Sequence, residues 1–254
     1  MINYLRALSF LTVIPLPFVP FSREEGELSR SASCFPLAGL TVGALLGLAA
    51  WLLLILLPAA PVSVLVLLLG FMLTRGLHVD GLADTADGLI GTTGREKAFK
   101  AMEDSAVGVM GAAVVLLLYL FKFSLLAEGE AALFLPALVL MPFAGRWAIV
   151  FAGAFFGSAR KKGLGDLFLD GLGWPVLLKA SLGGLAVIVL LFFWHPALAY
   201  YAFLGSLLAL AGAFLLALYA SGRLGGISGD ILGACSEIGE ALFLAGFFIG
   251  ARFF

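Results

Sequence analysis

The chain has 254 residues, of which 62% are hydrophobic and only 12% are charged, and its mean hydropathy is +1.12. This composition excludes an ordinary soluble domain and is typical of polytopic membrane proteins, while a net charge of −1 argues against nucleic acid as a partner. The two cysteines, Cys34 and Cys235, belong to no CxxC or Cys/His pattern, so neither a redox pair nor a zinc site is predicted.

Residues 1–19 are interrupted by Arg6 and broken at Pro15, so they predict an interfacial or re-entrant helix rather than a membrane span. Several later apolar runs exceed the ~18 residues that a bilayer core requires. The predicted spans are 34–57, 62–76, 106–127, 132–156, 176–194, 197–221 and 231–251. The predicted fold class is therefore all-α: a polytopic helical bundle embedded in the lipid bilayer, with residues 1–254 forming a single membrane-embedded domain.

Alternation of seven spans places most loop cations on one side of the membrane. These residues are Arg23, Arg30, Arg75, Arg95, Lys97, Lys100, Arg160, Lys161, Lys162 and Arg223. The positive-inside rule makes that side cytoplasmic, which predicts a multi-pass protein of the cytoplasmic (inner) membrane. The acid-rich loops fall on the same side, so the active site is expected to face the cytoplasm.

Residues 75–91, RGLHVDGLADTADGLIG, contain three of the chain's 16 acidic residues. Asp80, Asp84 and Asp87 stand at i, i+4 and i+7, so a helix would place them on one face. The opposite face would carry Leu82, Ala86 and Leu89. Three like charges on one stripe repel each other unless a cation lies between them, and carboxylate oxygens suit Mg²⁺, Mn²⁺ or Ca²⁺.

A solvated amphipathic helix beside a membrane segment would show the same three acids. Arg75 and His78 favour a site, because a solvated face requires neither, and the nearby glycines let a backbone approach a ligand closely. We therefore predict that the three aspartates are catalytic and that Arg75 binds phosphate. His78 is also predicted to be catalytic, as a general base, although a phosphate contact or an interfacial polar residue would fit the same position. Gly81 and Gly88 leave open whether this stretch is one helix or a kinked turn.

Three further charged residues are candidates for the site. Asp104 follows a polar helix predicted over 95–105, where it would either hold metal with the first cluster or pair with Lys100. Arg146 lies inside an apolar span, so its guanidinium requires a carboxylate or phosphate partner unless it snorkels to the interface. Arg160 is a phosphate-binding candidate, although a positive-inside loop would carry the same charge.

The segment Arg223–Asp230, RLGGISGD, precedes the last span. A glycine-rich lead-in to a helix N-terminus favours an anion, although a flexible connector with Asp230 as N-cap is an equal interpretation. Glu237, seven residues further on, would lie inside the span, where a carboxylate is costly and usually functional. The predicted substrate-binding residues here are Arg223, Gly226, Ser228, Asp230 and Glu237.

Carboxylates, cations and glycine loops on one membrane side fit phosphoryl-type transfer, in which metal neutralises charge. Two alternatives stay open at this point: a CDP-alcohol-type phosphotransferase acting on a lipid alcohol, and a cation-coupled transporter. A transporter should place its acids near mid-membrane on both halves of a repeat, and no repeat is visible.

Successive motifs resemble the cobalamin synthase family, the adenosylcobinamide-GDP ribazoletransferases. They are FLTVIPLP (10–17), RGLHVDGLADTADGL (75–89), AMEDSAVGVMG (101–111), GRWA (145–148), ARKKGLG (159–165) and GGISGDILGA (225–234) with Glu237. The match runs in order over nearly the whole chain. Ile227-Ser228 stands where a Leu/Val-Thr pair is expected, and Glu103 where a lysine is usual.

The resemblance implies a membrane enzyme of late coenzyme B12 assembly that joins adenosylcobinamide-GDP to α-ribazole or its 5′-phosphate, releases GMP and requires Mg²⁺. Our hypothesis for the mechanism is that Asp80, Asp84 and Asp87, together with Asp104, hold one or two Mg²⁺ ions and that one of these carboxylates deprotonates the ribazole 5′-hydroxyl. Arg146 and the segment 223–230 would neutralise the pyrophosphate or the departing GMP. A homo-oligomer, or association with other cobalamin-assembly enzymes, is compatible with such a role.

Overall fold

The computed structural model describes residues 1–16, 26–129, 131–159, 168–169 and 171–253. Within these ranges the regular structure is helical, with one isolated β-bridge between Ser158 and Ile227. The helices are α1 Ile2–Leu11, α2 Glu27–Ser31 (followed by a 3-10 turn, Ala32–Cys34), α3 Phe35–Leu53, α4 Ala59–Leu73, α5 Leu77–Leu89, α6 Arg95–Met102, α7 Val109–Glu128, α8 Ala131–Phe155, α9 Trp174–Trp194, α10 Pro196–Leu224 and α11 Gly229–Phe253.

The all-α, multi-pass bundle predicted from the sequence is confirmed. Six helices are long and apolar enough to cross a membrane, α3 being counted together with α2, and α4 with α5 makes a seventh if a bent pair is accepted as one span. Helix α1 has only 10 residues, so it is too short to cross, in agreement with the prediction for this segment. Residues 17–25 lie outside the described part.

The chain turns sharply between α4 and α5. Arg75 and Gly76 both have positive φ angles, 53° and 64°, and the two helix axes differ in direction by 91°. A left-handed arginine is unfavourable, so the surrounding packing must hold this turn in place. Helix α5 therefore lies across one end of the bundle and does not continue the direction of α4 through the membrane.

Helices α8 and α11 form the centre of the bundle. In their most apolar windows 78% of residues are buried, against 17% in α7 and 22% in α9. Helix α3 packs very closely on α8, because methyl groups at Gly39 and Gly43 would overlap the carbonyls of Pro142 and Val139. Small residues four apart permit such backbone contact between membrane helices.

The connections that carry the candidate residues meet at one end of the bundle. Arg223 donates hydrogen bonds to the carbonyls of Leu89 and Thr92, and Arg95 donates one to the carbonyl of Ala159. The amide of Ala159 in turn donates to the carbonyl of Ile227. We call this end, formed by α5, α6 and residues 157–159 and 225–228, the polar end. The prediction that the candidate loops share one side of the bundle is confirmed for the described residues.

Candidate active site at the polar end

Helix α5 is continuous from Leu77 to Leu89, so neither of its internal glycines breaks it. Its acidic face carries Asp80, which is exposed, and Asp84 and Asp87, which are half-buried. The predicted apolar face is buried, as expected, through Leu82, Ala86 and Leu89. The local geometry inferred from the i, i+4, i+7 spacing is therefore confirmed.

Helix α5 crosses the start of α11 at very short range. A methyl group at Gly81 would lie 2.8 Å from the carbonyl oxygen of Asp230, and one at Gly233 would lie 3.2 Å from the carbonyl oxygen of His78. A glycine on each helix thus allows the two backbones to touch. As a consequence, Asp230 lies close to the aspartates of α5, although about 150 residues separate them in the sequence.

Replacing Gly81 by alanine should disturb this crossing. We expect Gly81→Ala to lower stability by about 1–3 kcal/mol, because the added methyl must push Asp230 and α11 away. Activity should fall with it, since the aspartates on the two helices would separate. The matched control is Gly222→Ala in α10, where no atom lies within 4 Å of the new methyl group and helix propensity should make the change neutral or stabilising. Equal thermal unfolding midpoints for the two variants in detergent would contradict this account.

The carboxylates influence one another electrostatically. Partial burial, followed by the charges of Asp80, Asp230 and Asp87, raises the pKa of Asp84 from 3.8 to about 6. Burial and the three neighbouring charges each disfavour a further negative charge at Asp84. The mutual repulsion of these carboxylates therefore favours binding of a proton or a metal cation at the site.

Asp87 has a structural task as well. Its two carboxylate oxygens accept hydrogen bonds from the amides of Gly108 (2.7 Å) and Gly111 (2.9 Å) at the start of α7. A carboxylate at a helix N-terminus satisfies free N–H groups and complements the helix dipole. Asp104 is exposed and accepts a hydrogen bond from the nearby amide of Ala106. Metal binding by Asp87 and Asp104 stays a prediction.

Among the described residues, no group of three or more His, Cys, Asp or Glu side chains is arranged so that it could hold a metal ion by itself. The carboxylates of α5 and Asp230 are neighbours without converging on a point. Mg²⁺ usually takes only one or two protein carboxylates together with substrate phosphates and water. The arrangement therefore fits a metal that arrives with a phosphate-bearing substrate better than a closed, all-protein metal site.

Two cavities border on Asp80. The smaller, of about 430 Å³, lies between α1, α5, α6 and α11 and is lined mainly by aromatic and aliphatic side chains, with His78, Ser228 and Asp230 among its polar groups. The larger, of about 1150 Å³, is an open groove bounded by α1, α4, α5 and α7, and Arg75 lines it. Asp80, Leu77 and Phe10 line both. The two cavities thus meet at a carboxylate.

The other residues predicted to bind phosphate have structural roles where the structure describes them. Arg223 is engaged with the backbone of the α5–α6 connection and with the Tyr219 hydroxyl, so it braces the polar end. A methyl group at Gly226 would overlap Ala159, which shows that this glycine permits two loops to pass closely. Ser228, rather than Asp230, caps α11, because its hydroxyl accepts from the amide of Ile231. Arg160 lies outside the described residues.

A buried ionic cluster lies deeper in the bundle, and sequence reasoning missed half of it. Lys122 on α7 is 1% exposed and donates to Glu237 (2.6 Å) and Glu240 (2.7 Å) on α11. Arg146 on α8 is 3% exposed and pairs with the other oxygen of Glu240. Two cations thus balance two carboxylates. Lys122 and Glu240 were not predicted, although a charge within an apolar span is a recognisable signal.

This cluster gives Arg146 and Glu237 protein partners where substrate contacts were predicted. Arg146 also reaches α5, because its Nη2 lies 3.4 Å from Nδ1 of His78. Burial and then the charge of Arg146 lower the pKa of His78 well below 6.5, so the imidazole is neutral at neutral pH. His78 lines the smaller cavity and thereby connects the cluster to the site. A direct contact between Arg146 and substrate stays a prediction.

Together these features define a class of protein: a multi-pass helical membrane protein with a carboxylate-lined, two-cavity site at one end of its bundle. The family model described as cobalamin-5-phosphate synthase matches residues 3–248. The chain belongs to this family and is a transferase of cobalamin biosynthesis.

Curated relatives align over nearly their whole length. The chain is 37% identical to the adenosylcobinamide-GDP ribazoletransferase of Chlorobaculum parvum, with 95% of this chain and 96% of the relative covered. It is 39% identical to the enzyme of the same name from Desulfitobacterium hafniense (95% and 94%) and 40% identical to that from Syntrophobacter fumaroxidans (94% and 95%). No solved structure matches the chain. Membership of this family argues against the two alternatives considered from the sequence, a lipid phosphotransferase and a transporter.

Proposed function

We propose that the protein joins adenosylcobinamide-GDP to α-ribazole, or to α-ribazole 5′-phosphate, and releases GMP in a Mg²⁺-dependent phosphoryl transfer. The names of the relatives supply the substrates. The observation that carries the proposal is the meeting of two cavities at Asp80, beside Asp84 and Asp230. A transfer between two substrates requires both to reach one point, and a diphosphate requires its charge to be neutralised there.

The reaction is balanced as a direct displacement. The nucleophile is a secondary ribose hydroxyl rather than the 5′-hydroxyl, because α-ribazole 5′-phosphate has no free 5′-hydroxyl. Its oxygen forms a bond to the phosphorus on the cobinamide side of the diphosphate, and the bond from that phosphorus to the bridging oxygen breaks. GMP leaves with the bridging oxygen. The hydroxyl proton passes to a carboxylate, and Asp80 is best placed to receive it because it borders both cavities.

The carboxylates of Asp80, Asp84 and Asp230 would hold Mg²⁺ with the help of the substrate diphosphate. The bound ion would neutralise phosphate charge and orient the leaving group. The raised pKa of Asp84 supports cation binding here, because a bound metal ion would neutralise the repulsion between the neighbouring carboxylates. Arg75 lines the larger groove together with Asp80, so it would contact the phosphates.

The orientation of the site is part of the proposal. Arg95 in the polar end, and Arg75 and Arg223 beside it, favour placing that end in the cytoplasm by the positive-inside rule. The protein would then lie in the cytoplasmic (inner) membrane and receive water-soluble substrates from the cytoplasm.

The test is an assay of the purified protein in nanodiscs with adenosylcobinamide-GDP, α-ribazole and Mg²⁺. We expect equal amounts of GMP and of the joined corrinoid product, and loss of both when EDTA is added. α-Ribazole 5′-phosphate in place of α-ribazole shows which acceptor is preferred. Failure to form product from either acceptor, with CMP release from a CDP-activated lipid instead, would refute the proposal in favour of a lipid phosphotransferase.

A further inference from the structure

The structure contains two cavities of unequal size and chemistry, and neither family membership nor the reaction assigns a substrate to either. We propose that the cavity of about 430 Å³ binds the benzimidazole base of α-ribazole, and that the groove of about 1150 Å³ binds the corrinoid substrate. This inference rests on the proposed function for the identity of the two substrates. We call the two spaces the base cavity and the corrinoid groove.

One wall of the base cavity is a set of nearly parallel aromatic rings. The rings of Phe10, Phe35 and Phe168 stack with centroid separations of 5.5–6.2 Å and interplanar angles of 15–24°. Phe99 of α6 adds a fourth ring to the lining. Rings held in this way favour a flat, apolar aromatic ligand, which can add to the stack with an offset face or an edge. A dimethylated benzimidazole is such a ligand.

Three of the polar groups that line the base cavity suit the sugar rather than the base, and His78 and Glu103 complete its polar lining. Ser228, Asp230 and Asp80 lie where α11 begins and α5 passes it, whereas Ile149 and Leu232 continue the apolar lining. Hydroxyl groups of a ribose can donate to carboxylates, and a base without charge requires no buried ion to balance it. With the base among the rings, the ribose is directed toward Asp80, where the corrinoid groove begins.

Size separates the two substrates. Clefts that bind drug-sized ligands have volumes of about 300–1,000 Å³, which suits a nucleoside in the base cavity. A corrin macrocycle with its amide side chains and upper ligand is several times larger than a nucleoside, so it requires the groove. The groove opens to the outer face of the bundle, where Phe71 of α4 and Leu116 of α7 are 43% and 60% exposed. Arg75 beside it would take the attached diphosphate toward Asp80.

The experiment compares the same substitution in the two spaces. Leu232→Phe adds bulk to the base cavity and Leu116→Phe adds it to the corrinoid groove. We expect Leu232→Phe to raise KM for α-ribazole by about tenfold or more with little change in KM for adenosylcobinamide-GDP, and Leu116→Phe to do the reverse. A second pair removes an aromatic ring instead. Phe99 lines the base cavity and Phe71 lines the corrinoid groove. We expect Phe99→Ala to raise KM for α-ribazole, and Phe71→Ala to raise KM for adenosylcobinamide-GDP, each about three- to tenfold.

The opposite assignment, or equal effects on both KM values in both pairs, would overturn the inference. Leu232 is buried in α11, so if Leu232→Phe fails to fold, as judged by gel filtration and its unfolding midpoint in detergent, the Phe99/Phe71 pair decides the question. Phe99 lies on α6 outside the membrane bundle and is only half-buried, which makes its substitution a milder structural change.

A binding measurement separates this inference from the proposed function. Calorimetric titration of α-ribazole alone into the wild type, Phe99→Ala and Phe71→Ala requires no turnover. If the wild type forms product but only Phe71→Ala weakens binding of α-ribazole, the proposed function stands and the assignment of cavities is overturned. If the wild type forms no product but binds α-ribazole and only Phe99→Ala weakens that binding, the assignment of α-ribazole to the base cavity stands and the proposed function fails.

Discussion

Asp84→Asn should reduce kcat by at least about 10²- to 10³-fold while leaving the protein as stable as the wild type or more stable. The amide is nearly isosteric but cannot offer the negative charge that would hold Mg²⁺ or receive a proton. Turnover is measured as GMP release in nanodiscs, and stability as the unfolding midpoint in detergent without added metal. The combination of lost activity with retained stability is the signature of a functional carboxylate.

The stability half of this expectation follows from the pKa of Asp84. Folding raises that pKa from 3.8 to about 6, so the folded state binds more protons than the unfolded state between these values. Stability contributed by this group is therefore present at low pH and falls as the pH rises through that window. At pH 7 the wild type carries the unfavourable charge and Asp84→Asn does not.

The matched control is Glu128→Gln, the same loss of charge on an exposed side chain at the opposite end of α7. It should leave both activity and stability unchanged. If Asp84→Asn keeps wild-type turnover, Asp84 neither binds the metal nor takes part in proton transfer, and the carboxylate cluster is not the reaction centre.

Lys122→Met should be the most destabilising single substitution of those considered, by about 3–5 kcal/mol, because it leaves Glu237 and Glu240 to share only Arg146. The cost comes from an uncompensated buried charge, so removing that charge should restore stability. The double variant Lys122→Met/Glu237→Gln is therefore expected to be more stable than the single variant. Unfolding midpoints in detergent, or recovery of folded protein after heating, measure the difference.

A Lys122→Met variant as stable as the wild type would contradict the cluster, and so would a double variant less stable than the single one. Activity should follow stability in this series only in part. Glu240 holds Arg146, which lies beside His78 at the base cavity, so a change at Lys122 can also alter the position of His78.

The sequence was sufficient for features that depend on local spacing. Asp80, Asp84 and Asp87 could be placed on one helical face because i, i+4 and i+7 repeat over a short range. Most of the spans could be found from the length of apolar runs, and the common end of the loops from alternation.

Features that depend on tertiary contacts could not be found in this way. The sequence shows that Arg146 requires a carboxylate or a phosphate as partner. That the partner is Glu240, 94 residues away in sequence, depends on how α8 and α11 pack. The spacing on α5 alone predicts that Asp87 is a metal ligand. Only the position of α7 shows that Asp87 accepts hydrogen bonds from the amides of Gly108 and Gly111. The two cavities likewise exist only because α1, α6, α7 and α11 meet around α5.

The central claim is that the aspartates around α5 bind a divalent cation together with the substrate diphosphate. The most direct test is an EPR titration of Mn²⁺, which replaces Mg²⁺ at oxygen ligands, with adenosylcobinamide-GDP present and α-ribazole absent so that no turnover occurs. We expect the wild type to bind Mn²⁺ about tenfold or more tightly than Asp84→Asn. Equal Mn²⁺ affinities for the wild type and Asp84→Asn would contradict the claim.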